Sequence, residues 1–284
     1  MTSVSERIIR PRRSWIAVDL AALWRYRDLL GLMVRRDFLS RYQQTILGPL
    51  WFILQPVVTT ILFTLVFGRA LGTSTDQLPP FLFYLCGMLP WGYFSAVLSG
   101  TGNTFQTNAG VFTKVYFPRL IVPLATVISS VFALVVQAAT FAVVYAVFYV
   151  NRSPGAAWAP DALAVLLLPV MLVQAALLAL GLGLLSSALS AKYRDLQHAL
   201  PFVVQMGMFV TPVIYPLSQL SARAQWFAAL NPLTPIVEGF RLACFGTGTV
   251  RPGHVILSVA VTLIVAFAGL VAFQRAERTF ADTV

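Results

Sequence analysis

The chain has few of the groups that catalysis needs. Ten of its 284 residues are acidic, and no two of them lie within three positions of each other, so no local carboxylate pair is available to hold a metal ion. The two lysines, Lys114 and Lys192, are followed by Val115 and Tyr193, so neither supplies the Gly-Lys-Ser/Thr end of a phosphate-binding loop. Any ATPase is therefore expected to be a separate chain. The two histidines, His198 and His254, stand far apart, and a membrane-embedded enzyme is poorly supported. The two cysteines, Cys86 and Cys244, sit in apolar surroundings without a CxxC pattern, which leaves buried free thiols and a disulfide both open. No catalytic residue, metal site or cofactor is expected in this chain.

Charge of either sign is scarce, at 11% of residues against 58% hydrophobic and a mean hydropathy of +0.79. That balance excludes an ordinary soluble domain and describes an all-α polytopic membrane protein. The net charge of +10 could mark a nucleic-acid surface, but no soluble fold is there to carry one. An excess of Arg and Lys in cytoplasmic loops accounts for the charge instead, and no nucleic-acid partner is expected.

The organising stretch is RRDFLSRYQQTILGPLWFILQP, Arg35 to Pro56. Arg35, Arg36, Asp37 and Arg41 fall within seven residues, and no charged residue follows until Arg69. A charge at the bilayer centre costs about 2.5 to 3.5 kcal/mol, so a gap of this length suits a spanning helix. Residues 47–68 would form a helix about 33 Å long, against a hydrocarbon core of about 30 Å. Ahead of it, residues 19–46 form an amphipathic segment, helical from Asp19 to about Tyr42. On a helix, Leu23, Tyr26, Leu30, Met33, Val34 and Phe38 share an arc of about 140°, with Arg25, Asp28, Arg35 and Arg36 opposite. Leu32, Leu39, Arg27 and Asp37 break the pattern. A helix lying on the cytoplasmic membrane surface fits best, with a solvated helix as the alternative. Residues 1–18 read as a tail, basic but without the uninterrupted apolar core of a cleaved signal peptide.

Uncharged stretches near 47–68, 81–105, 120–150, 162–190, 199–217 and 254–273 predict six transmembrane helices in a membrane domain over 47–284. With the N-terminus inside, fifteen of the twenty basic residues face the cytoplasm, including Lys114, Arg119, Lys192, Arg194, Arg275 and Arg278. The topology is N-in and C-in. The spans hold no charged side chain for proton or sodium coupling, which disfavours ion-driven transport.

The connection from Ser218 to Gly253 is too apolar for a free loop and too short to span. Two short re-entrant helices solve this, one capped by Ser218 and ending near Asn231, the other carrying Glu238 and Arg241 as an i,i+3 pair. Such a unit is either a gate or a lid that only covers the bundle. Aromatic and amide residues recur at helical spacing in three spans: Trp51, Gln55 and Thr59; Tyr84, Met88, Trp91 and Ser95; Phe202, Gln205, Phe209 and Pro212. These stripes are packing or lipid-facing belts, or they line a pathway in which flat rings and amides slide past a sugar chain.

Three stretches in order, RRDFLSRYQQTILGPLWFILQP, NAGVFTKVYFPRLIVPLA (Asn108 to Ala125) and NPLTPIVEGFR (Asn231 to Arg241), resemble those of ABC-2 type permeases that export polysaccharides, O-antigen export permeases above all. The resemblance implies a bacterial inner-membrane homodimer with two ABC ATPase subunits, which bind ATP and magnesium and drive a lipid-linked polysaccharide outward. Capsule or teichoic-acid permeases share the architecture, and exporters of small amphiphiles belong to the same superfamily. The resemblance casts Val111 to Arg119 as a coupling helix seated on the ATPase, helped by Arg35, Arg36 and Arg41. Within it Lys114, Tyr116, Phe117 and Arg119 are the contacts, the two rings filling a groove in the partner. It makes Asn231, Pro232, Glu238 and Arg241 part of an outer gate. The translocation channel is then expected to be lined by Trp51, Gln55, Tyr84, Trp91, Phe202, Gln205 and Phe209. A carbohydrate-binding module, where one exists, is expected on the ATPase chain.

Overall fold

The computed structural model describes the backbone of residues 20–42, 45–112, 114–115, 117–152, 158–193 and 195–283, with side chains at all of these except 20, 41, 42 and 278–283. The described chain is helical almost throughout. Two helices, α1 (Leu20–Arg25) and α2 (Arg27–Tyr42), are separated by a single turn residue, Tyr26. A 3-10 turn at Gly48–Leu50 leads into α3 (Trp51–Phe63), which continues as π-helix over Thr64–Ala70. Then come α4 (Pro80–Gly102), the short α5 (Thr104–Thr107) and α6 (Ala109–Phe112), and the long α7 (Ile121–Val150) and α8 (Ala162–Ser190). The chain closes with α9 (Leu196–Val210), α10 (Ala222–Ala229), α11 (Thr234–Phe245) and α12 (Pro252–Thr283).

Five helices among the described residues are long and apolar enough to cross a bilayer: Gly48–Ala70, Pro80–Gly102, Ile121–Val150, Ala162–Ser190 and Pro252–Glu277. The fifth apolar stretch differs from the expected span over 199–217. Its helix, α9, has 15 residues, about 22 Å at 1.5 Å per residue, short of a bilayer core of about 30 Å. The cause is local. Thr211 precedes Pro212, a position from which the helical conformation is sterically disfavoured, and it adopts ψ 139°. Residues 211–214 are then buried in the protomer.

Helix α4 is the hub. It packs against α3, α7, α8, α9 and α11, and the main core gathers around its Leu82, Phe83, Cys86, Leu89 and Phe94. Helix α8 packs most extensively against α12. A Cβ at Gly181 of α8 would lie 2.7 Å from the Ala266 backbone of α12, and Gly269 faces Gly181 in turn, so glycine lets the two backbones touch. A second cluster lies at the α2 end of the bundle, where Met33 packs with Phe105, Phe112, Phe117, Ile121, Leu184 and Phe273.

The expected single helix from Asp19 is split at Tyr26, and the residues of its expected apolar arc turn toward the bundle. Leu23, Tyr26, Leu30, Met33 and Val34 join that second cluster, and Phe38 meets Phe132 of α7 at 5.1 Å between ring centres. Arg25, Asp28, Arg35 and Arg36 are exposed, as are the pattern-breaking Leu32 and Leu39. Asp19, the expected cap, lies outside the described residues. The expected cap of the first short helix is corrected: Ser221, whose hydroxyl accepts from Ala224 N at 3.4 Å, caps α10, while Ser218 Oγ donates to both carboxylate oxygens of Asp76 at 2.7 and 2.9 Å.

Candidate functional site

At the end of the bundle far from α2, the residues expected in a gate form one connected unit. Glu238 and Arg241 stand one helical turn apart on α11, and their ion pair closes at 2.7 Å with both side chains 2% exposed. Charges this deep require further hydrogen bonds. Arg241 Nη2 donates to Val213 O at 2.9 Å, Nη1 reaches Tyr215 O at 3.4 Å, and the guanidinium carbon sits 3.8 Å above the Phe83 ring of α4. Glu238 accepts from Thr249 N at 2.9 Å and Leu217 N at 3.4 Å. One pair thus ties α11 to the segment after α9, the loop before α12 and α4. Nearby, the Tyr215 hydroxyl donates to Val210 O at 3.2 Å.

Asn231 and Pro232 join the same unit. Asn231 Nδ2 donates to Thr211 Oγ1 at 2.8 Å, and its side-chain oxygen accepts from Leu233 N at 3.0 Å. Pro232 O accepts from Ser258 of α12 at 2.6 Å, and Ser258 accepts from Gln174 of α8 at 2.6 Å. Gln174, Ser258 and Thr249 were not singled out by sequence reasoning. A polar Gln inside an apolar span was the available signal for the first.

The seven residues expected along a channel divide. Trp51 and Gln55 on α3, and Phe202, Gln205 and Phe209 on α9, are exposed on the protomer surface, Trp51 at 49% and Phe202 at 62%. Tyr84 and Trp91 are not, with exposures of 0% and 5%. Tyr84 is enclosed edge-on by Phe63 and Phe83, at 6.0 and 5.4 Å between ring centres. Trp91 is roofed by α9, where a Cβ on Gly207 would lie 3.1 Å from its Cη2. Both rings belong to the α4 core, which removes them from any lining formed at the protomer surface.

At the α2 end, the loop around Lys114 also sorts its residues. Lys114 and Val115 are exposed, forming its described tip. Phe117 is 4% exposed and packs on Phe112 at 5.7 Å, so its ring anchors the loop to the bundle instead of projecting into a partner. Arg119 Nη1 donates to Glu277 O at 2.7 Å, and its guanidinium lies 5.4 Å from the Phe112 ring centre. Arg36 pairs with Asp37 at 2.9 Å and reaches Asn108 Oδ1 at 3.3 Å, which joins α2 to the start of this loop, while Arg35 is exposed. Tyr116 and the Arg41 side chain lie outside the described residues. Val115 is the residue that sequence reasoning passed over.

A tethered loop of this kind at one end, a buried ion pair among short helices at the other and apolar helices between them coincide with a known pattern. Residues 28–245 match the family model described as ABC-2 type transporter. The chain belongs to this family. The matched region contains α2 from Asp28 onward, the Lys114 loop and the Glu238–Arg241 pair. Full-length relatives agree. The chain is 27% identical over 265 residues to the O-antigen export system permease protein RfbA of Myxococcus xanthus, covering 92% of this chain and 97% of that one. It is 23% identical over 256 residues to the RfbA protein of Klebsiella pneumoniae, covering 90% and 94%. It is also 24% identical over 248 residues to the polysialic acid transport protein KpsM of Escherichia coli, covering 85% and 91%.

Proposed function

We propose that the protein is the permease subunit of a bacterial ABC exporter that moves a lipid-linked polysaccharide of the O-antigen type outward across the cytoplasmic membrane. Two copies of this chain pair with two ATPase subunits, which bind ATP and magnesium, and no catalytic residue is needed here. The N- and C-termini face the cytoplasm, α2 lies on the membrane surface, and α9 with the buried segment after it makes a sixth crossing. The elements from Leu217 to Val250 are the re-entrant gate at the outer face.

The observation that carries this reading is the bare face of α3. Only 6% of the most apolar stretch of the span Gly48–Ala70 is buried in the protomer, and α3 within it presents the exposed Trp51 and Gln55 in line. With Phe202, Gln205 and Phe209 of α9, it supplies rings for apolar sugar faces and amides for hydroxyls, with no buried charge to trap a polymer. Lys114 and Val115 are the tip that meets the ATPase.

The test is extraction of the tagged protein from its native membrane, with identification of the associated chains, combined with loss of the gene in the host. Equal recovery of a P-loop ATPase, and disappearance of long surface glycan with its lipid-linked precursor retained inside, is the expected result. Recovery of the chain alone, with surface glycan unchanged, overturns the proposal. The similarity to the polysialic acid transport protein favours a second reading, a capsule-type polymer as cargo; it predicts loss of capsule with the O-antigen ladder intact.

A further inference from the structure

A surface groove of about 540 Å³, within the range of ligand-sized clefts, is used by neither the gate nor the channel stripe. It lies between the second half of the span Gly48–Ala70, the start of α4 and the end of α7. Ile61, Leu65 and Arg69 line it from the first, Phe81 from the second, and Val143 and Phe148 from the third. The Phe81 and Phe148 rings stack with 2° between their planes and 6.4 Å between centres, which fixes α4 against α7 there. The hydrogen bonds from Ser218 to Asp76 tie the loop after Arg69 to the unit that holds the Glu238–Arg241 pair, so the groove is at that end of the bundle. Arg69 is its only charged lining residue among those described, and the Arg69 side chain is exposed and makes no hydrogen bond or ion pair with any described residue. Arg152, just past the end of α7, is engaged instead: its guanidinium lies 4.0 Å from the Tyr149 ring centre and donates to Trp158 O at 3.4 Å.

We propose that this groove binds an anionic phospholipid, one acyl chain lying along Ile61, Leu65, Val143 and Phe148 and the phosphate oxygens accepting from the Arg69 guanidinium. The depth fits. Arg69 is the last residue but one of the span Gly48–Ala70, which sets it at headgroup level. Ile61 lies eight residues deeper, at most about 12 Å, against about 15 Å for half of the hydrocarbon core. The backbone helps to aim the cation. On a continuous α-helix Arg69 would stand about 80° round from Ile61. The span runs as π-helix over Thr64–Ala70, and a helix bonded from i to i+5 turns less per residue, which keeps Arg69 on the groove side. A guanidinium with no protein partner at the edge of an apolar cleft is matched by a phosphate, through charge-assisted hydrogen bonds. No acidic residue among those described lines the groove to receive the ammonium of a zwitterionic headgroup, so an anionic one fits better. That the lipid comes from the outer leaflet rests on the proposed N-in topology; binding by the purified protein tests the site independently of it.

The experiment purifies the full-length protein with whatever chains accompany it, strips bound lipid with detergent, and titrates in dioleoylphosphatidylglycerol while native mass spectrometry counts lipids per chain. Dioleoylglycerol, which lacks the phosphate, is titrated beside it. Arg69→Gln is expected to bind dioleoylphosphatidylglycerol about tenfold more weakly than wild type, with its binding of dioleoylglycerol unchanged. Val143→Trp, which sets a ring into the groove from its exposed wall, is expected to lower retention of both lipids. Arg152→Gln is expected to leave both unchanged, because that cation is already engaged. Equal retention by wild type and Arg69→Gln overturns the proposal. So do equal losses in Arg69→Gln and Arg152→Gln, which would reduce the effect to diffuse surface charge. Val143→Trp protein that keeps its lipid but loses its dimer also overturns it, and gives the groove to a second copy of the chain.

Discussion

Helix α3 with its flanking turns and helix α4 are successive 23-residue spans, and they end in opposite surroundings. Seventy-two per cent of the most apolar window of α4 is buried in the protomer, against 6% for α3. The more polar of the two is the one inside. Helix α4 carries Tyr84, Cys86, Trp91, Ser95 and Thr101; Thr101 Oγ1 donates to Val97 O at 2.7 Å and Ser95 Oγ to Gly92 O at 3.0 Å, while the buried Tyr84 hydroxyl has no hydrogen-bond partner among the described residues. Lipid tails are as apolar as leucine, so hydrophobicity does not draw the most apolar helix inward; close packing and polar partners decide the order. The same contrast separates two kinds of aromatic residue. On α4 the Tyr84 and Trp91 rings are core, whereas on α3 the Trp51 ring is exposed to a second copy of the chain or to cargo.

The strongest way to break this arrangement is to unseat α11 from α4. Arg241→Ala leaves the Glu238 carboxylate buried without its cation and removes the group stacked on Phe83, a loss of about 5 kcal/mol. Thermal unfolding of the purified protein, followed by size-exclusion, is expected to reveal aggregated material. The double variant Glu238→Gln with Arg241→Met leaves no uncompensated charge and is expected to lose less than Arg241→Ala alone. Equal losses would show that packing, not charge, holds the seam. Next in size is Trp91→Ala, which opens a cavity between α4 and α9 and costs about 4 kcal/mol, measured by the same assay.

The parts of this molecule legible in its sequence are those set by local periodicity. The Glu238–Arg241 pair follows from i,i+3 spacing, the apolar face of α2 from a 3.6-residue repeat, and the long helices from unbroken apolar runs. The early end of α9 was also legible, in Thr211 before Pro212. What was not legible depends on partners distant in the chain. Tyr84 and Trp51 occupy similar stripes, and the packing of Phe63 from α3 against one of them makes it core. Phe117 reads as a free ring in a short loop until Phe105, Phe112 and Phe273 close on it. The Gln174–Ser258–Pro232 chain joins three elements whose order of packing no local pattern encodes.

The α2 end offers a smaller version of the contrast. Phe117→Ala is expected to cost about 3 kcal/mol, because its buried ring holds the loop against α6 and α12. Val115→Asp, two residues away on the exposed tip, is expected to leave unfolding within about 0.5 kcal/mol of wild type while lowering cargo-dependent ATP hydrolysis in the assembled transporter. A Val115→Asp protein with normal hydrolysis and export would move the ATPase contact elsewhere.

Trp51→Ala is the smallest perturbation of the fold and the most direct test of what the bare helix is for. The ring is 49% exposed on the protomer, so truncating it in an isolated subunit is expected to shift stability by about 0.5 kcal/mol or less, an order of magnitude below Trp91→Ala. If the exposed face of α3 meets cargo, export falls while dimerisation and ATPase binding stay intact, and Gln55→Ala acts in the same direction through its lost amide. If that face instead joins two copies of the chain, Trp51→Ala weakens the dimer, and crosslinking yield falls together with export. An unchanged dimer with unchanged export would assign the α3 stripe to lipid, and the contrast with α4 would then be one between the protomer interior and the bilayer alone.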